Sequence, residues 1–163
     1  MKLLPYENFY IITKMKQAEV QLEFERAVSA GTGSIFKSSS CATYFEGYAV
    51  NGVFEFKRSI EYRNSFLPEI KGTTEPYLNG SRIHVKMRMM MFVTVFMCVW
   101  LGGAAVGGIS IFISEISDGH FRIQDLAVFL MFFFGYGLMM GAFKYESRKA
   151  KNKLLEMFDG DMG

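Results

Sequence analysis

Two stretches of the chain carry no charged side chain, Met89 to Ser114 and Leu126 to Phe143. A helix rises about 1.5 Å per residue and the hydrocarbon layer of a bilayer is about 30 Å thick, so the first stretch crosses with residues to spare and the second just reaches. The polar part, residues 1–88, is too small to need two such helices as its own core. The expectation is therefore a membrane protein in three parts: a polar domain over 1–88, a two-helix transmembrane hairpin over 89–143 with spans at 89–114 and 126–143, and a basic tail over 144–163 that continues the second helix, with Leu154, Leu155, Met157 and Phe158 on its other side, and lies along the anionic membrane surface.

Charge around the spans gives the orientation. Arg82, Lys86 and Arg88 precede the first span, and Lys144, Arg148, Lys149, Lys151 and Lys153 follow the second. The connection "EISDGHFRIQD" has one Arg122 against Glu115, Asp118 and Asp125. Lys and Arg are retained on the cytoplasmic side, so both termini are expected inside and the short connection outside. The start of the chain breaks at Pro5 and Glu7 before a hydrophobic region accumulates, so it does not read as a signal peptide. Cys41 and Cys98 have neither metal-site nor disulfide spacing, which suits a reducing compartment. The expected location is a bacterial cytoplasmic membrane.

Glycines punctuate both spans. Gly103 and Gly107 in the first, and Gly135, Gly137 and Gly141 in the second, include two GxxxG spacings that allow helices to approach closely. Counted from the cytoplasmic ends, the two glycine groups lie at different depths, so each should face large rings: Phe129 opposite Gly103, and Phe96 opposite Gly135. Packing within the chain is the first expectation for these glycines, and homo-oligomer formation through a leftover face is the rival. No ionisable residue lies inside either span, whereas transport and proton-relay sites normally need one.

The polar part reads as α+β. "NFYIIT" has strand character, and the following segment repeats Ala18, Val20, Phe24, Ala27 and Val28 at helical spacing before Gly31. "GTGSIFKSSSCAT" reads as a connecting loop, since no glycine directly precedes Lys37 as a phosphate loop would require. Asn51-Gly52 and Asn79-Gly80 each separate two β-rich runs, and Asn-Gly favours the positive φ angles of a type I′ hairpin turn. The expected domain is a small antiparallel curved sheet with one packed helix, its last strand running directly into the first span.

Alternation along the second hairpin strand puts Arg58 on the apolar face with Phe54, Phe56, Ile60 and Tyr62. A guanidinium placed there must be paired or must face an opening, because a buried unpaired charge is too costly. Two readings follow. Arg58 belongs to a structural salt bridge, or it is the cation of a pocket for a small anionic ligand, with Tyr62, Arg63 and Asn64 at the rim. The corner "EYRNSFLP" joins the two hairpins, and its Phe66 and Leu67 either cap the end of the sheet, touch the lipid interface or contact a membrane protein partner.

With its segments in the order "LLPYENFYI", "FEFKRSIEYRNSFLP", "NGSRIHVKMR" and "FGYGLMMGAFKYES", the chain resembles a set of small bacterial membrane proteins of unassigned function. The resemblance covers nearly the whole length, "YRNSFLP" is its most specific stretch, and it implies the architecture above without an activity. In architecture the chain is also similar to two-span effectors of bacterial antiviral systems, in which a β-domain senses a nucleotide and the spans damage the membrane. Those place the spans first, whereas here they come last.

An enzyme is not expected. His84 and His120 have no evident nucleophile beside them, and no metal or other cofactor is implied. The net charge is only +2 and the basic cluster adjoins a span, so the pattern points to membrane lipids and not to nucleic acid. The leading expectation is a membrane-anchored ligand-binding or sensing module. The alternatives are a structural or interaction subunit of a membrane assembly and a membrane-disrupting defence effector.

Overall fold

The computed structural model describes residues 4–30, 44–60, 64–118 and 126–163. The element order is β1 (Tyr6–Thr13), α1 (Gln17–Ala27), β2 (Val28–Ala30), β3 (Phe45–Val50), β4 (Val53–Arg58), β5 (Pro68–Tyr77), β6 (Gly80–Met89), α2 (Met91–Asp118), α3 (Leu126–Phe158) and β7 (Asp161–Met162). The strands form one sheet in the order β2-β3-β4-β5-β6-β1-β7. Every pairing is antiparallel except the short one between β2 and β3. The α+β class and the two-helix hairpin expected from the sequence are both present.

Alternation sets the faces of the sheet. Phe54, Phe56 and Arg58 on β4, and Ile83, Val85 and Met87 on β6, are all buried on the inner side. Helix α1 lays Val20 and Phe24 on that side, with the Phe24 ring 4.6 Å from that of Phe54. Its first turn is closed by Glu19 Oε2, which accepts from the Lys16 backbone N–H at 2.8 Å. Gln21 ties the helix to the β3–β4 corner, donating to the Ala49 carbonyl at 2.8 Å and accepting from the Gly52 N–H at 3.3 Å.

The two Asn-Gly dipeptides turn out to do different things. Asn51 and Gly52 have φ of 51° and 75°, the two positive angles that a type I′ turn needs. In the second hairpin Tyr77 pairs with Gly80, so the loop residues are Leu78 and Asn79, one position earlier than the dipeptide suggests. Leu78 carries the positive φ, at 49°. Gly80 is required instead by close approach, since a Cβ there would run into the Thr13 carbonyl.

The largest departure from expectation is the C-terminal segment. Residues 144–158 continue the second helix as expected, but they pack into the sheet domain and do not lie along a membrane surface. Helix α3 is continuous over 33 residues, about 50 Å, and its buried positions Gly135, Met139, Phe143, Glu146, Ser147, Ala150, Leu154 and Phe158 form one stripe. The first part of that stripe faces α2 and the last part fills the concave side of the sheet beside α1, where Phe158 meets Phe24 at 4.8 Å between rings. Thr13 Oγ1 donates to the Phe158 carbonyl at 2.7 Å, and β7 then pairs back onto β1. The curved sheet therefore holds two helices, α1 and the distal half of α3. Basic residues occupy the solvent side of that half, and this apolar stripe its other side.

The hairpin packs through Val93, Met97 and Ala104 of α2, which stand four and seven residues apart on one helix face. Gly135 lies against the Trp100 ring, and Gly108 faces Phe129 at 3.3 Å from a Cβ position. This corrects the expected pairs. Phe96 is 58% exposed, and around Gly103, Gly107, Gly137 and Gly141 nothing stands within 4 Å of a Cβ position. The reason is that depth places residues at one level without fixing which face of a helix turns inward, and the inward face of α2 carries Val93, Met97, Ala104 and Gly108, not Phe96 and Gly103. Gly135→Val should thus lower the thermal stability of the detergent-solubilised protein by an overpacking cost of about 1–3 kcal/mol, while Gly137→Val leaves it unchanged. Equal melting shifts for the two would refute the crossing described.

Candidate functional site

The junction between hairpin and sheet carries the buried charges. Arg58 ends β4 on the inner face, and its Nη2 stands 2.9 Å from Glu146 Oε2, with the two side chains only 8% and 3% exposed. Asn64 Nδ2 donates to the other carboxylate oxygen of Glu146 at 3.2 Å. The Asn64 carbonyl oxygen of the side chain in turn accepts from the Phe66 N–H at 3.0 Å, which folds the corner back toward β5. Arg58 also lies 6.0 Å from the centre of the Tyr44 ring. Of the two sequence readings for Arg58, the geometry supports the ion pair, with Glu146 as its partner.

The remaining sequence candidates separate. Asn64 joins Arg58 through Glu146. Tyr62 and Arg63 lie outside the described residues, as do the 31–43 loop and residues 119–125 of the connection. Phe66 is half-buried against the core, and Leu67 is half-buried beside it, so the "SFLP" end of the corner caps the sheet. Sequence reasoning missed Glu146 altogether. It lies among Lys and Arg, yet it stands three residues after Phe143 and four before Ala150, on the same stripe as both. A carboxylate on one apolar face and a guanidinium on another are a signal for pairing.

A second feature lies where β1 begins and α3 leaves the hairpin. Tyr6, Glu7, Phe9, Phe143, Lys144 and Lys151, with Asn8, line an open groove of about 230 Å³. Lys151 Nζ sits 4.6 Å from the Phe9 ring centre.

The outer face of the sheet is a lattice of compensated charge. Arg82 pairs with Glu75 at 2.9 Å and lies over the rings of Tyr10 and Tyr77. His84 stacks on Tyr10 with ring centres 4.5 Å apart, and its Nε2 is 2.6 Å from Asn8 Oδ1. Burial first, and then the neighbouring Lys86, hold this imidazole below its ordinary value of about 6.5. The folded domain thus prefers the neutral ring, and the unfolded chain takes up a proton first on acidification. Stability is full above about pH 6.5 and should fall as pH drops from there through the lowered folded value. Glu55, lowered chiefly by its hydrogen bond to Lys71, acts in the same direction but only below its ordinary value of about 4.5. Between about pH 7.5 and 5.5 the slope should therefore flatten in His84→Gln; a variant with the wild-type slope would exclude the imidazole as its source.

Among the described residues no three His, Cys, Asp or Glu side chains come together in a way that could hold a metal ion. No protein-family model, curated protein or solved structure matches the chain.

Proposed function

We propose that the chain is a membrane-anchored cytoplasmic sensing module, in which the state of the sheet domain and the posture of the hairpin are mechanically joined. The observation that carries this reading is the unbroken α3, whose single buried stripe packs on α2 at one end and forms core of the sheet domain at the other. The second connection is equally short, since one residue, Met90, separates β6 from α2. A rigid two-point attachment transmits tilt or rotation, where a flexible linker would absorb it.

Membrane insertion is supported by what the helices leave uncovered. In the apolar windows of the two helices only 17% and 22% of residues are buried, and Phe92, Val99, Phe133 and Phe134 are each at least 66% exposed. A core helix of a water-soluble domain would be covered on most sides; faces like these need lipid. The distribution of Lys and Arg favours the sheet domain on the cytoplasmic side. A subunit role in a larger membrane assembly is the second reading, favoured by the outward-facing Gly103, Gly107, Gly137 and Gly141.

Alkaline carbonate extraction and cysteine labelling test the anchoring. In a C41S/C98S background, H120C should react with an impermeant maleimide in intact cells, and S65C only after lysis. Protein released by carbonate would exclude insertion, and the opposite labelling pattern would invert the orientation. Coupling is tested by hydrogen exchange in thin and thick bilayers, where protection of residues 146–158 should differ; identical exchange would leave an anchor without a sensor.

A further inference from the structure

The groove between the start of β1 and the exit of α3 has a defined depth. β1 begins at Tyr6, which pairs with Arg88 just before β6 gives way to α2, and Lys144 is the first charged residue after the uncharged part of α3. Tyr6 and Lys144 therefore mark the plane where both helices leave the sheet domain. Lys151 is seven residues further along α3, about 10 Å, and Phe9 three residues along β1, also about 10 Å. That match of rise is why the Lys151 ammonium comes over the Phe9 ring. The groove thus runs from the level of the hairpin's base into the aqueous side, with Phe9 and Phe143 as apolar wall and a lysine toward each end.

Size and charge narrow the occupant. At about 230 Å³ the groove is smaller than the roughly 300–1,000 Å³ usual for drug-sized ligands, a size that suits a headgroup. Lys144, Lys151 and Glu7 sum to one positive charge, which one phosphodiester neutralises. Glu7 would repel a second phosphate but accepts hydrogen bonds from hydroxyls. Asn8 Oδ1 is already engaged with His84 and is left out of the recognition set.

We propose that this groove binds a hydroxyl-bearing phosphodiester, the glycerol-type headgroup of an anionic lipid, with Lys144 and Lys151 on the phosphate and Glu7 on the hydroxyls. The proposal rests on the membrane reading above, because only an inserted hairpin brings Lys144 to the phosphate level of a leaflet. A lipid held there would brace α3 against β1 at the point where the hairpin's posture passes to the sheet.

The test uses the full-length protein in mild detergent and native mass spectrometry with added phosphatidylglycerol, phosphatidylcholine or soluble glycerophosphoglycerol. Wild type should retain phosphatidylglycerol over phosphatidylcholine, and K144Q/K151Q should lose it by about twenty-five-fold, two lysines at about fivefold each. R148Q/K149Q removes the same charge outside the groove and should retain the lipid. E7Q should weaken the glycerol headgroup; tighter binding by E7Q would overturn the hydroxyl role. Equal losses in the two double variants would reduce the site to general surface charge and overturn the proposal. Soluble glycerophosphoglycerol binding as tightly as the lipid would overturn the lipid source. Carbonate extraction of the same variants separates the levels: integral protein without lipid retention sinks the groove alone, whereas extractable protein sinks the membrane reading with it.

Discussion

Glu146→Ala should cost the sheet domain most of its stability. The substitution takes away the carboxylate that stands 2.9 Å from the Arg58 guanidinium on the buried Phe54 and Phe56 face, and breaking one partner of a buried pair costs about 3–5 kcal/mol. Set against the roughly 5–15 kcal/mol that holds a typical domain together, that is a large fraction. Arg58→Met should also be harmful, since it removes the cation from a buried carboxylate and leaves the Asn64 amide as a neutral donor to it. The double variant Arg58→Met/Glu146→Leu removes both charges and should recover most of the loss, because apolar replacements of a buried pair are often neutral or better. Thermal unfolding of the four proteins in one detergent provides the cycle. Single variants that unfold like wild type would mean that water reaches the pair, and a double variant no better than the singles would mean that the coupling energy lies elsewhere.

The same cycle bears on function. If the pair serves only stability, the apolar double variant should behave as wild type in the bilayer-thickness experiment. If the pair fixes the angle at which α3 enters the sheet, the double variant should fold and yet lose the difference in exchange over 146–158. A salt bridge has a directional geometry that two alkyl groups do not reproduce.

Much of this architecture could be read from short-range pattern. The hairpin helices are legible because uncharged length is a local property, and the strands of the two β-hairpins are legible because alternation and Asn-Gly turns are local too. Arg58 stood out for the same reason, a charge in an apolar phase. Its partner did not, because Glu146 is distant in sequence and sits in a run of Lys and Arg that looks like a solvated face. Amphipathic phase was the missing signal: Met139, Phe143, Glu146, Ala150, Leu154 and Phe158 keep helical spacing across the point where the hydropathy drops. The helical continuation itself is legible from Leu154, Leu155, Met157 and Phe158, but its basic side points to the membrane surface as the partner, whereas the partner is the sheet. The glycine contacts failed for another cause, since depth fixes which residues share a level but not which face of a helix turns inward. The groove was out of reach because it combines β1 with α3, two elements from opposite ends of the chain.

The second large effect follows from that continuation. Leu154 and Phe158 are fully buried between α1 and the sheet, although they lie in what the sequence presents as a basic tail. A peripheral tail would tolerate Leu154→Ala/Phe158→Ala with little change. As core positions, the two truncations should cost about 2–5 and about 3–5 kcal/mol when measured singly, and they share neighbours, so the pair need not add. Phe158 stands against Phe24, and its carbonyl accepts from Thr13, so losing it loosens α1 and β1 together. The expected result is a protein that still partitions into membranes through its hairpin but whose domain is cut rapidly by protease at positions protected in the wild type. Leu155→Ala, at a half-buried neighbouring position, supplies the comparison and should be much milder. A domain that stays protease-resistant in the double variant would place the distal half of α3 outside the core, and would remove with it the mechanical connection on which the sensing role depends.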